Sequence, residues 1–176
     1  MKIELRNIKI NLTFSEETTM FKADVYVDGK KTAYASNDGH GGCTFYNRYE
    51  GMEKLLKEAE AFAKTLPSHT YIFGNTNMVI ESTLENIIDK MIDDEVNKKK
   101  KDKFNKKREK DMLKNIVYGN TSGGSYKMIG WGKYTIEQLK STQNGRNALT
   151  NTITRIKTEL RDGDKIFNNN LGELLG

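Results

Sequence analysis

The stretch Phe21-Lys22-Ala23-Asp24-Val25-Tyr26-Val27-Asp28-Gly29 decides the fold class. Phe21, Ala23, Val25 and Val27 alternate with Lys22, Asp24, Tyr26 and Asp28, so one side of an extended chain is apolar. Asp28-Gly29 then supplies the positive φ that a two-residue hairpin requires. The return strand is read from Lys31 to Ser36. Upstream, Ile3 and Leu5 hold one phase, whereas Ile8, Ile10, Leu12 and Phe14 hold the other. A slip of that kind, at Arg6-Asn7, is the signature of a β-bulge. Ser15-Glu16-Glu17-Thr18 is a polar loop. Together these segments predict a three-stranded antiparallel meander within residues 1–50.

Beyond Glu50 the period lengthens. Met52, Leu55, Leu56, Ala59, Phe62 and Ala63 recur at three and four, an amphipathic helix that ends near Leu66-Pro67. Thr70 to Phe73 reads as a short strand followed by a Gly74-Asn75 turn. Ser82 with Glu85 has the spacing of a capping box, and Leu84, Ile87, Ile88, Met91, Ile92 and Val96 form the buried stripe of a long helix. Past Val96 the stripe stops, but good helix formers continue and neither Gly nor Pro intervenes, so the helix is expected to extend into a charged segment. Ile116–Tyr118 and Tyr126–Trp131 flank a Gly/Ser-rich loop and predict a second hairpin. Thr135 with Gln138 caps a short helix, Asn144-Gly145 is read as a turn, and Leu149, Ile153, Ile156 and Leu160 mark a further helix. Asp162-Gly163 turns the chain into Lys165-Ile166-Phe167. The fold class is α+β: an N-terminal β-meander packed by helices, one long charged helix, a second hairpin and C-terminal helices. The segments divide as 1–80, 81–115 and 116–176, the last forming one compact unit with the first.

Composition narrows the class. Leu, Ile, Val and Phe number thirty-nine of 176 residues, enough for a core. No run approaches a membrane span, the N-terminus lacks a secretory pattern, and a single cysteine allows no internal disulfide. These features point to a soluble, cytoplasmic protein without a membrane partner. Lys outnumbers Arg 23 to 6, and Lys meets phosphate as a point charge without the bidentate fork of Arg.

The most unusual local run is Ser36-Asn37-Asp38-Gly39-His40-Gly41-Gly42-Cys43-Thr44-Phe45-Tyr46. Its glycines let the backbone bend freely, and exposed amides in such a loop can form an anion-binding concavity. The same loop bounds a sheet, which is its purely structural reading. Asp38, His40 and Cys43 offer three metal ligands, with closure needed from a distant group such as His69. The spacing fits no established zinc or phosphate motif.

Ser15-Glu16-Glu17-Thr18, Phe21-x-Ala23, Val25-Tyr26-Val27-Asp28-Gly29-Lys30 and Ser36-Asn37-Asp38-Gly39-His40-Gly41-Gly42-Cys43 together resemble an uncharacterised family of small proteins encoded by bacteriophages and prophages. The likeness is clear over roughly residues 1–65 and looser around Trp131 and Lys165-Ile166-Phe167-Asn168-Asn169. The poly-Lys segment departs from the family pattern. The resemblance implies a phage accessory gene, with counter-defence as its setting, and carries no catalytic residues over.

Residues 98–111 hold nine basic and three acidic side chains, whereas 81–95 hold six acidic and one basic. That order complements the helix dipole, so a solvated, self-stabilised helix is the plain reading. Phosphate contact through Lys98, Lys99, Lys100, Lys101, Lys103, Lys106, Lys107, Arg108 and Lys110 is the functional one. Trp131 and Tyr134 read as packing residues, and Asp89, Asp93, Asp94 and Glu95 as a solvated helix face. Walker, nucleophile-elbow and HExxH patterns are missing from the sequence. The leading expectation is a non-enzymatic inhibitor that binds a host protein or a small anionic nucleotide ligand, needing no cofactor. Its surface would comprise Asn37, Asp38, Gly39, His40, Gly41, Gly42, Cys43, Tyr46 and Arg48. Nucleic-acid binding by Lys98–Lys110 is the second expectation, and a metal-assisted hydrolase at Asp38, His40 and Cys43 the third. A homo-oligomer is compatible with each.

Overall fold

A computed structural model describes residues 1–73 and 76–175, without the side chains of 69–78. The chain is α+β and divides into two compact units, 1–98 and 99–176. In unit 1, β1 (Ile3–Ile10), β2 (Phe21–Val27), β3 (Lys30–Asn37) and β4 (Phe45–Arg48) form one antiparallel sheet in sequential order. Asp28 and Gly29 both take positive φ, 47° and 80°, so the β2–β3 hairpin closes as the dipeptide predicts. The β1–β2 register shifts between Arg6 and Lys9, and Asn7 sits at φ 53°. This is the expected bulge. It aims the Asn7 amide at Asp24, 2.7 Å away. Tyr49 and Lys31 also reach Asp24, and these bonds, led by that from Asn7, hold its carboxyl below the usual range.

Two corrections concern this sheet. Leu12–Phe14 is a one-turn 3-10 helix and not a continuation of β1, because the Asn11 side chain accepts the Thr13 amide and turns the chain. The sheet also has four strands instead of three. β4 is short and its side chains are mostly exposed, so pairing with β3 holds it and no core alternation announces it.

The apolar face of β2 and β3 packs on Leu56, Ala59 and Ala63 of α1 (Glu53–Lys64), and on Leu84, Ile88, Ile92 and Val96 of α2 (Leu84–Met112). The alanines let helix and sheet approach closely. Between these helices, β5 (His69–Phe73) and β6 (Thr76–Ile80) pair as a hairpin; the expected Gly74-Asn75 turn lies outside the described residues. The helix cap sits one residue later than expected and is a single cap, not a capping box. Thr83 caps α2 by accepting the Asn86 amide, while Ser82 donates to the Pro67 carbonyl and Glu85 is used elsewhere. The helix runs on unbroken through the lysine segment to Met112.

In unit 2, β7 (Asn115–Gly119) lies between β8 (Lys127–Gly130) and β9 (Lys165–Ile166). Ile116 and Tyr118 meet Ile136 of α3 (Ile136–Lys140) and Leu149, Ile153 and Ile156 of α4 (Gln143–Glu159). Thr135 and Gln138 form the expected capping box. Asn144-Gly145 is no turn: it lies in the first turn of α4, where Thr142 caps the Gly145 amide. Trp131 packs as expected, whereas Tyr134 is exposed. Among the described residues no helix is long and apolar enough to cross a membrane.

Candidate functional site

Asn37 ends β3 and organises the glycine-rich loop. Its Oδ1 accepts from the Thr18 hydroxyl at 2.7 Å and the Gly39 amide at 2.9 Å, and its Nδ2 donates to the Gly42 carbonyl at 2.9 Å and Thr44 Oγ1 at 3.3 Å. The full hydrogen-bonding capacity of the amide is used inside the loop. Asn37 is only 7% exposed. It builds the candidate surface and does not face a ligand.

Two further loop amides are similarly occupied. The His40 amide donates to Asp38 Oδ1 at 3.2 Å, and the Gly41 amide to Thr18 Oγ1 at 3.2 Å. The Gly39 carbonyl accepts from three successive amides, Glu16, Glu17 and Thr18, at 3.0, 3.1 and 3.3 Å. Gly39 is buried with φ +91°, and a β-carbon there would stand 2.4 Å from the Phe14 carbonyl oxygen. Only glycine fits that approach. The expected anion-binding concavity is therefore filled by the loop's own acceptors at 39–41.

Thr44 ties the loop to α2, its amide donating to Glu85 Oε1 at 2.8 Å and its hydroxyl to Asp89 Oδ1 at 2.5 Å. Burial raises the Asp89 carboxyl above its usual range, aided by the neighbouring Glu85 and Asp93 charges and opposed by the Thr44 hydroxyl. Asp89 is thus a loop anchor and not part of a solvated face. A cavity of about 270 Å³ beside it is lined by Glu17, Thr18, Asn37, Asp89 and Asp93 among others. Three carboxylates there oppose a phosphate.

Around this scaffold the exposed groups are few. Asp38, His40, Gly41, Gly42 and Cys43 are exposed. His40 Nδ1 lies 3.1 Å from Glu16 Oε2, a pairing that raises the imidazole pKa. Phe14, on the 3-10 turn against Gly39, and Phe45, two residues past Cys43, are 60% and 70% exposed. Tyr46 and Arg48 turn toward α1: the Tyr46 hydroxyl donates to Glu60 at 3.0 Å, and Arg48 Nε to Glu53 at 2.9 Å. Burial pushes the Tyr46 phenol up to about 12. Among the described residues no three His, Cys, Asp or Glu side chains gather to hold a metal; the His69 side chain lies outside them.

Of the basic residues, Lys98, Lys99, Lys100, Lys101, Lys103, Lys106, Lys107 and Lys110 are exposed on α2, and Arg108 is half-buried. Phe14, Thr18, Thr44 and Glu85 were not singled out from the sequence as site residues. Thr18 stood in the family-like Ser15–Thr18 segment, Thr44 in the glycine-rich run and Glu85 in the expected helix cap, but none of these signals pointed to the bonds they make here. Compared with protein-family models, curated proteins and solved structures, the chain matches none.

Proposed function

We propose that this chain is a phage-encoded accessory protein that inhibits a host defence component by binding a host protein, and that it docks through the loop face of unit 1. The observation that carries the reading is the pairing of a loop whose amides at 39–41 are internally bonded with two large, exposed phenylalanines beside it. An isolated exposed Phe is ordinary, but rigid backbone carrying two of them is how an interface offers apolar anchors at low ordering cost. Glu16 and Glu17 are bonded through their amides to Gly39, Asp38 precedes it, and unit 1 carries twelve basic and sixteen acidic side chains. The partner surface is accordingly basic, with apolar recesses for Phe14 and Phe45. A nucleotide ligand suits this face poorly, given the occupied amides and the acidic cavity. The phage setting rests on the family resemblance.

The test is affinity capture from host cells with the wild-type chain and with F14S/F45S. A host protein identified by mass spectrometry is then purified and titrated against both. Binding that weakens at least tenfold in the variant and falls with added salt supports the reading. Equal binding by the two chains, or binding unaffected by salt, contradicts it.

A further inference from the structure

The two units differ in charge by more than the whole-chain +5 discloses. Unit 2 carries seventeen basic and eight acidic side chains, a net +9, against −4 for unit 1. Within unit 2, Lys99, Lys103, Lys106 and Lys110 recur at i, i+4, i+7 and i+11 along α2, so they form one exposed stripe about 16 Å long. Lys100 and Lys107 flank it.

The opposite side of the same helix holds a group that the sequence does not reveal. The Arg108 guanidinium lies 4.9 Å from the Phe167 ring centre and 5.9 Å from that of Phe104. Phe104 packs edge-on against Tyr126 at 5.3 Å, and the Tyr126 hydroxyl is held by Asp111 at 2.7 Å. Lys165 also approaches Phe167, with Nζ 5.5 Å from the ring centre. Two cations therefore converge on one ring. Neither Arg108 nor Lys165 meets a carboxylate or carbonyl among the described residues, and Arg108 Nε is buried without any partner. Like charges gathered this way lack the anion that would neutralise them, and a guanidinium fork held only by ring faces keeps its donors for one.

We propose that unit 2 binds the phosphate backbone of nucleic acid along the lysine stripe in the C-terminal half of α2, with Arg108 and Lys165 offering a separate phosphate contact on the other side of the helix. A lysine stripe neutralises successive phosphates without reading bases. An anionic membrane is the poorer match, because the exposed side chains of 97–110 are Asn, Lys, Asp and Glu and offer nothing apolar to insert.

Fluorescence anisotropy of labelled mixed-sequence single-stranded DNA, duplex DNA and an RNA hairpin tests this, with phosphatidylserine vesicles as a fourth arm. For about four phosphates on the lysines and one at Arg108 and Lys165, affinity for duplex DNA should fall about 500-fold between 50 and 200 mM salt. K103Q/K106Q/K107Q/K110Q, all at exposed helical sites, should lower the slope of log affinity against log salt by about 3 to 4. R108Q should weaken binding further, whereas K54Q/K57Q on α1 should leave it unchanged. The strongest of the three nucleic-acid arms identifies the source of the phosphates. No binding to any of them at 50 mM salt, an unaltered slope in the quadruple variant, or equal binding to the vesicles would overturn the proposal. F14S/F45S should bind nucleic acid like wild type, so this proposal and the docking face fail separately.

Discussion

Replacing Gly39 by alanine should do far more damage than replacing Gly42, although the two stand three residues apart in one loop. At Gly39 the backbone has φ +91° and a β-carbon would meet the Phe14 carbonyl oxygen at 2.4 Å, far inside contact distance. An L-residue in such a region costs about 1–3 kcal/mol. Relief of the clash has to move the 3-10 turn or the Gly39 carbonyl, which accepts the amides of Glu16, Glu17 and Thr18. Losing two of those bonds adds about 2 kcal/mol, so G39A should destabilise unit 1 by about 3–5 kcal/mol. At Gly41, φ is +89° and the β-carbon's nearest contacts are all with the Glu17 side chain, whose carboxylate can swing aside and leave its Cβ at 3.3 Å. G41A should therefore cost about 1–2 kcal/mol, most of it backbone strain. At Gly42 nothing lies within 4 Å and φ is not positive, so G42A should stay within about 0.5 kcal/mol of wild type. Urea unfolding followed by far-UV circular dichroism gives the three values. A G39A variant as stable as wild type, or G42A as unstable as G39A, would refute the reasoning.

Asn168 is 3% exposed; its Oδ1 accepts the Val117 amide and its Nδ2 donates to the Met112 and Asn115 carbonyls. N168A should destabilise unit 2 by about 3 kcal/mol, read from thermal or urea unfolding monitored by Trp131 fluorescence. The Asp89 pKa is raised on folding, so the native state binds that proton more tightly than the unfolded chain, and wild type loses stability as pH rises through the group's range. D89N should remove this loss, its advantage over wild type growing as pH rises above the ordinary aspartate value in parallel urea titrations; an advantage that shrinks with pH would reverse the assigned sign. His40 follows the same sign, because its pKa is also raised on folding. Its stabilisation by Glu16 is present below the ordinary imidazole pKa and fades as pH rises through the raised value. An NMR titration should show the His40 pKa falling toward its ordinary value in E16Q.

Local chemistry was readable where the signal and its effect were neighbours. Asp28-Gly29 specified its hairpin, the phase slip at Arg6-Asn7 specified the bulge, and Thr135 with Gln138 specified a cap. Periodicity misled at Leu12 and Phe14, because alternation continues in the letters after the Asn11 side chain has already turned the backbone. β4 was silent, since four mostly exposed residues on a sheet edge carry no apolar pattern. The loop was visible as a glycine cluster, yet its meaning was not. Whether its amides face solvent or internal acceptors depends on Thr18 and Asn37, which lie nineteen residues apart, and on Thr44 with Glu85 and Asp89. Likewise Arg108 and Phe167 meet only through the packing of unit 2. The net charge was a poor guide for the same reason: it averages an acidic unit and a basic one.

The most direct test places a photo-crosslinking phenylalanine analogue at Phe45, which is 70% exposed, and at Leu113 in unit 2, which is 59% exposed, in chains expressed in host cells. The expected result is a discrete adduct between position 45 and one host protein, absent from position 113 and lost when Phe14 is also replaced by serine. No adduct from position 45, or the same adducts from both positions, would contradict docking through the loop face.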